Sequence, residues 1–360
     1  MSEFSDFCSM LREESGMTIY HIAKVSGMER TALNRMLNGK RFPKYEDVEL
    51  FCEVLRAGER DKEHLRELYL MEKMGRNHYE NYIYIRNLLR ELDQRENDAA
   101  FPDPAGTKNT DSREKSFVNG KREVRSMICS VLEGAYRQEK IQEMYTNFPV
   151  QEKILFTVVE CCEKKYRREI PLCHFHILNI NPEKYYDVTC NLKVLRAALM
   201  WLFTKGESYI PYYTYSQLML DDLELQFMPY YLVSASRVLL VSDDFRQGIL
   251  LEDEDMVVFY RNRMEMIRHQ MHHLVQTYPE KAGVWEDDTV LRTLDAPNLE
   301  LQHLEVMLYG KGVVLSKDRE VEQGRFVRIT ESSLYESFYN FFDYLSEMSE
   351  MEGVRGVTRN

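Results

Sequence analysis

The sequence predicts an α plus α/β chain: an N-terminal five-helix bundle, a flexible linker, and a mixed α/β C-terminal domain with an internal duplication. Three observations carry that expectation: helical spacing of apolar residues with glycine turns over residues 1–74, a polar stretch at 97–120, and a strand and helix order that occurs twice beyond it. At 360 residues, 44% apolar with 23 Tyr and 17 Phe, the chain has enough material for two domains with sizeable cores. No apolar run approaches the roughly 18 residues that span a bilayer. The start MSEFSDFCSM lacks the basic and apolar regions of a leader. Seven cysteines without regular spacing suit reduced thiols, so a cytoplasmic address without membrane contact is expected.

The bundle is read in order. Phe4, Phe7, Cys8 and Leu11 recur at helical spacing and mark the first helix. Thr18 caps a second, with Ile22, Ala23 and Val25 inward, and Gly27 interrupts it. A third runs from about Glu29 to Asn38 with Ala32, Leu33 and Met36 inward, and Asn38-Gly39 ends it as a left-handed stop. Pro43 and Tyr45 lead into a fourth, with Val48, Leu50, Phe51, Val54 and Leu55 inward and an end near Gly58. A fifth begins near Asp61.

Charge is distributed against the overall balance. The formal net charge is -12, yet Lys24, Arg30, Arg35, Lys40, Arg41 and Lys44 stand with a single acid, Glu29, between positions 22 and 44. Residues 1–74 hold twelve Lys/Arg and fourteen Asp/Glu, a net of -2, which leaves -10 for the rest. That balance excludes a protein that coats nucleic acid indiscriminately. Any polyanion must meet the local basic run, because the remaining surface repels it.

Two helices that meet through a short turn need a small residue where they cross, here Ala23, and a glycine in the turn, here Gly27. Glu29, Arg30, Thr31, Asn34 and Arg35 then lie on the outer side of the third helix, where one turn can enter a major groove. Arg and Asn carry the paired hydrogen-bonding groups that match guanine and adenine edges. Thr18, Asn38, Lys40 and Arg41 sit at helix ends, within reach of phosphates. The plainer alternative is a solvated bundle or a protein-binding module.

The stretch TIYHIAKVSGMERTALNRMLNGK (18–40) resembles the helix-turn-helix of the Cro/lambda-repressor type, the XRE family, through the intervals of Ala23, Gly27, Met28, Leu33 and Gly39. The resemblance covers roughly residues 4 to 58. It implies that Arg30, Thr31 and Arg35 occupy the main base-reading positions, with Glu29 and Asn34 beside them and Asn38 and Lys40 on the DNA backbone. Two positions depart from the family. Ile19 stands where Gln is usual, which removes a phosphate clamp. Leu37 stands where many members place a Glu that pairs with an Arg of the first helix, which leaves Arg12 available to DNA or another partner.

Residues 64–92 continue as helix, with Leu65, Leu68, Met71, Tyr82, Ile85, Leu88, Leu89 and Leu92 at helical intervals. The segment 75–96 either packs on the bundle or pairs with its twin, a connecting or dimerising helix, and pairing is the expected role. Pro, Gly, Asn, Asp, Ser or Thr fill fourteen of the twenty-four positions at 97–120, too few apolar groups to order the segment. A domain spanning 121–350 follows, expected to sense an effector and to dimerise.

In that domain, residues 124–136 read as an amphipathic helix, LCHFHILNI (172–180) as strand, VLRAALMWLF (194–203) as buried helix, and YIPYYTYSQ (209–217) as strand or aromatic loop. KILFTVVECC stays open between helix and strand. Residues 230–267 and 307–345 share one order: two strands, a polar turn ending in Gln-Gly (Gln247-Gly248, Gln323-Gly324), a third strand, and a helix begun by acids or by Thr330 or Glu331. Two related halves commonly enclose a cleft, where ligands bind.

Chemistry-bearing clusters are few. Cys161, Cys162, Cys173, His174 and His176 lack the paired spacing of zinc sites, and strand alternation sends Cys173 and His174 to opposite faces. His269, His272 and His273 are expected together on a helix end, and the acids of LLEDEDM at a helix N-terminus. No phosphate loop, nucleophile elbow or dinucleotide fingerprint is visible. Tyr209, Tyr212, Tyr213, Tyr215, Pro229, Tyr230 and Tyr231 read either as a ligand wall or as an aromatic core. The expectation is therefore a non-enzymatic regulator of transcription without metal or cofactor. It would bind a double-stranded DNA operator as a homodimer, with half-sites about 34 Å apart, and respond to a small-molecule or peptide effector. The alternative is an autoregulated antitoxin, or an enzyme domain fused to a helix-turn-helix.

Overall fold

Ser2 and Ser5 open the first helix by exchanging hydrogen bonds: each hydroxyl accepts the other's backbone N–H, at 3.1 and 3.3 Å. In this computed structural model, which describes residues 2–94, 116–182, 187–215, 228–278, 290–293, 301–309, 312–317 and 325–351, α1 (Glu3–Ser15), α2 (Ile19–Ser26), α3 (Arg30–Leu37), α4 (Tyr45–Leu55) and α5 (Glu59–Met74) form the expected bundle. Phe4, Cys8, Leu11, Ile22, Leu33, Met36, Leu37, Val48, Phe51 and Leu55 are among its buried residues. Val25 and Leu50, inward by periodicity, are exposed, Val25 by 58%. An eight-residue helix that packs on α3 and α4 buries one narrow stripe, centred on Ile22, and Val25 lies on its flank.

The helix expected at 64–92 is broken at Gly75 (φ 82°), which separates α5 from α6 (Arg76–Gln94). Tyr82, Ile85, Leu88, Leu89 and Leu92 are buried within the chain itself. The apolar stripe of α6 is therefore covered by this chain and is not open to a twin, although its periodicity alone would allow one.

The chain folds as two compact units, one of residues Met1–Ile85 with α11 (Ser332–Met351) from Tyr339 onward, the other running from Arg86 to Phe338. The chain thus leaves the first unit inside α6 and returns to it inside α11, whereas the sequence places boundaries at 74 and in the 97–120 segment. Within the first unit Phe341 lies against Tyr82, ring centroids 5.2 Å apart. Most of the expected linker falls outside the described residues. Its last part does not behave as linker: β1 (Phe117–Asn119) pairs antiparallel with β7 (Gln247–Leu251).

The second unit holds two sheets. The eight-stranded sheet also contains β2 (Met144–Thr146), β3 (Leu172–Leu178), β4 (Tyr209–Tyr215), β5 (Tyr230–Val233), β6 (Val238–Val241) and β8 (His272–His273), in the order β1-β7-β6-β5-β2-β3-β4-β8. Its parallel centre, β2-β3-β4, is connected through α8 (Ile154–Tyr166) and α9 (Cys190–Lys205), while α7 (Lys121–Arg137) packs on β6 and β7. KILFTVVECC is thus settled as helix. The five-stranded sheet is antiparallel: β10 (Val290–Thr293), β11 (Leu304–Tyr309), β12 (Gly312–Lys317), β13 (Arg325–Ile329) and then β9 (Val275–Tyr278).

The duplication appears as two antiparallel three-stranded meanders, each followed by a helix: β5-β6-β7 with α10 (Glu254–Gln270), and β11-β12-β13 with α11. Each half has its own sheet. Asp253 caps α10 by accepting the Met256 N–H at 3.1 Å, as the LLEDEDM acids predict. The buried Glu331 does the same for α11: it accepts from the Leu334 N–H and the Ser333 and Tyr215 hydroxyls at 2.7–2.8 Å. Gln323-Gly324 lies outside the described residues.

The histidine run at 269–273 is not one helix. Helix α10 stops at Gln270, and His272 and His273 pair with Tyr213 and Tyr212 as β8. The aromatic stretch of β4 is largely core: Tyr209, Tyr212 and Tyr213 are buried. Cys173 joins the buried cluster under α10, and His174 turns to the opposite face, where Phe156 of α8 lies 5.8 Å away. The directions of the hydrogen bonds there are fixed by one carbonyl. Phe148 O can only accept, so His174 Nε2 donates to it (2.7 Å), Nδ1 accepts the Tyr209 hydroxyl (3.0 Å), and that oxygen accepts from His176 Nε2 (3.4 Å). Both imidazoles are neutral.

Burial pushes the His174 imidazole down to about 4 and His176 well below its ordinary value. An unfolded histidine takes up its proton near pH 6.5, so between pH 6.5 and 4 the unfolded chain binds more protons and stability falls as pH falls. For His174 that loss is about 2 kcal/mol at pH 5. Urea unfolding at pH 7.5 and 5.0 should show it. His174→Gln, which retains a donor and an acceptor, should remove that share of the loss, and an unchanged pH dependence would refute the assignment.

Candidate nucleic-acid interface

Helix α2 starts where the Thr18 hydroxyl accepts the His21 N–H (3.2 Å) and stops at Gly27, whose φ of 76° is left-handed. Three residues later α3 begins, with Glu29 as its N-terminal flank. Leu33, Met36 and Leu37 are buried, and the Ser9 hydroxyl of α1 donates to the Leu37 carbonyl at 3.0 Å. These contacts hold α3 by its inner side and its last turn.

The end of α3 is closed by two bonds: Lys40 N–H to Arg35 O (2.8 Å) and Gly39 N–H to Met36 O (3.1 Å), with Gly39 at φ 64°. This is a Schellman stop, and it requires the left-handed residue that the sequence places there. Phe42 then stacks on Tyr69 at 4.6 Å, in a ring cluster with Phe4 and Tyr45. The loop that carries Lys40 and Arg41 is thus pinned on both sides.

Every residue expected to touch DNA is exposed: Thr18, Glu29, Arg30, Thr31, Asn34, Arg35, Asn38, Lys40 and Arg41. Arg30, Asn34 and Asn38 follow one another at four-residue intervals along α3, with Thr31 and Arg35 in the adjacent row. Four of these groups hold each other in two pairs. The Thr31 hydroxyl donates to the Glu29 carboxylate, and the Asn38 amide donates to Asn34 O (2.7 Å) and Oδ1 (3.1 Å). Thr31 therefore presents its methyl and lone pairs, and Asn34 its own amide donors. Thr18 uses its oxygen as a cap and retains its O–H donor.

Lys24 and Lys44, which belong to the basic run but not to the expected contact set, are exposed as well. The charge count already contains them. Among the described residues, none of Lys24, Arg30, Arg35, Lys40, Arg41 and Lys44 is in an ion pair, whereas Lys62, Arg66, Arg76, Arg137, Lys164, Lys165, Lys193, Arg196, Lys205, Arg237 and Arg268 are. Arg12, expected to be available to a partner, pairs with its neighbour Glu13 at 2.8 Å. With Leu37 apolar, the adjacent acid is the one within reach.

A family model described as a helix-turn-helix domain matches residues 3–65. The N-terminal region is therefore a helix-turn-helix domain of the XRE/Cro type, as the residues of 18–40 imply. No curated protein and no solved structure matches the chain.

Gly39→Ala tests the geometry of the stop. A left-handed Ala costs roughly 1–2 kcal/mol, and its Cβ would lie 3.1 Å from the Ser5 hydroxyl. Chemical unfolding should show a loss of that size. Affinity for duplex DNA should fall with it, because the backbone under Lys40 and Arg41 shifts.

Proposed function

We propose that the chain is a cytoplasmic, sequence-specific regulator of transcription that binds a double-stranded operator as a homodimer. The helix-turn-helix domain makes it a DNA-binding regulator at the coarser level. The observation that carries the finer reading is the set of six exposed cations without ion pairs on and around α3, in a chain whose other surfaces are acidic. Among the described residues no helix is long and apolar enough to cross a membrane.

Arg30, Thr31, Asn34 and Arg35 read base edges, with Glu29 setting the Thr31 rotamer. Lys24, Asn38, Lys40, Arg41 and the Thr18 hydroxyl grip phosphates and fix the register. The second unit senses a small-molecule or peptide effector and does not act as an enzyme. What supports regulation is the path of the chain, which passes between the units inside two helices, α6 and α11. An effector that favours one arrangement of the second unit would act through those helices on operator affinity.

Selection from random duplexes tests the reading directly. Wild type should enrich one motif. Arg30→Ala should relax one position in it at a cost of about 1–3 kcal/mol, whereas Lys40→Ala should weaken all sequences alike and lower the salt slope by about one. A wild-type selection without any enriched motif would overturn sequence-specific binding.

A further inference from the structure

Helix α10 packs one apolar side on its own chain and leaves a mixed side, with large apolar residues on it, exposed. Val257, Tyr260, Met264 and Ile267 pack on the eight-stranded sheet. Arg268 pairs with Glu143 at 3.0 Å, and Arg261 donates to the Glu143 carbonyl at 3.0 Å, so the helix is fixed from that side. Opposite run Asp255, Phe259, Asn262, Met266 and His269, spaced 4, 3, 4 and 3, the interval of a helix-on-helix seam. All five are exposed, Phe259 by 62% and Met266 by 56%, with Val258 (50%) and Met256 (41%) on the flanks. Among the described residues no hydrogen bond or ion pair reaches Asp255, Asn262 or His269 from another element, and the ring beside Phe259 is its neighbour Tyr260. Phe259 and Met266 are thus large apolar groups left open to solvent on one side of the helix, in alternation with polar residues.

We propose that a second copy of this chain covers the seam, α10 pairing antiparallel with its twin across a two-fold axis near Asn262. The inference rests on the homodimer reading above and locates it. The seam is complementary to its own reverse. Antiparallel pairing sets Phe259 against the partner's Met266, a favourable sulfur and ring contact, and Asp255 against the partner's His269, with Asn262 meeting its own copy at the axis. The acidic first turn, Glu254 and Asp255, then faces the half that carries Arg263 and His269. Parallel pairing would set Asp255 against Asp255 and His269 against His269. A self-complementary patch is what a two-fold interface requires. One helix pair covers less than the roughly 800 Å² per partner of a standard interface, so the dimer is concentration-dependent, and two half-sites on one duplex reinforce it.

Sedimentation velocity of the full chain over a concentration series, with and without duplex DNA, tests this. Wild type should sediment as a dimer at the upper concentrations, and Phe259→Glu should raise its dissociation constant at least about tenfold, a change of about 1.4 kcal/mol. Because Phe259 is exposed, thermal unfolding of the variant should match wild type at concentrations where both are monomeric. Asp255→Lys and His269→Glu should each weaken the dimer and together restore it. Asn262→Cys should give an oxidised crosslinked dimer beyond the wild-type background, and Met266→Cys should not. Wild type monomeric at every concentration, with DNA and without, would overturn the homodimer reading itself. A wild-type dimer that survives Phe259→Glu, or that crosslinks through Met266→Cys, would overturn the antiparallel α10 seam and leave the homodimer reading intact.

Discussion

Burial of Leu33, Met36 and Leu37 decides which side of α3 meets solvent, and the function of the first unit follows from that choice. An eight-residue helix has little stability of its own. It persists because its inner stripe packs against the bundle and its last carbonyls are taken by Ser9, Gly39 and Lys40. Arg30, Asn34, Arg35 and Asn38 are therefore presented by a helix whose rotation and length are both set from behind. Preorganised side chains lose less freedom on binding than side chains on a mobile loop. The six cations contribute by remaining unpaired: an ion pair within the protein would have to be broken before a phosphate or a base could be met.

What the sequence made legible follows from the range of the forces involved. The bundle could be read because caps, glycine stops and 3.6-residue spacing are local, and Thr18, Gly27 and Gly39 each stand where their backbone conformation requires them. The exposed set on α3 was legible for the same reason, since one buried stripe fixes the other. The meander order of the two halves was legible from alternation and turns. Their separation into two sheets was not, because strand partners are chosen by long-range pairing that no local pattern encodes.

The fate of α6 shows the limit most clearly. Its apolar stripe is as regular as a coiled-coil seam, and periodicity alone cannot say whether such a stripe meets a twin or its own chain. The answer lies in distant residues. Asp93 accepts the backbone N–H groups of Gln302, His303 and Leu304 at 2.7–3.0 Å, and Glu91 holds Arg196 in a two-bond fork at 2.6–2.7 Å. These bonds join residues one to two hundred positions apart in sequence. Conversely, the outer stripe of α10 is hidden in the sequence, because its Phe and Met are interleaved with charges and resemble an ordinary solvated helix. Exposure in the folded chain separates the two stripes.

Net charge and recognition are linked through this arrangement. With -12 overall and a small basic head, a single bundle gains little from a duplex at large: non-specific affinity comes from neutralised phosphates, and the net charge of the chain opposes it. Specific affinity then has to come from base contacts and from multiplicity. A second bundle on the same duplex turns the second binding step into an intramolecular one, which can multiply affinity by about 10² or more without a new kind of contact. A chain with a strongly basic surface would not need that gain and would lose discrimination. In the proposed dimer, weak grip by one bundle would make occupancy depend on two, and a domain that alters pairing or placement would act on DNA binding without touching a base.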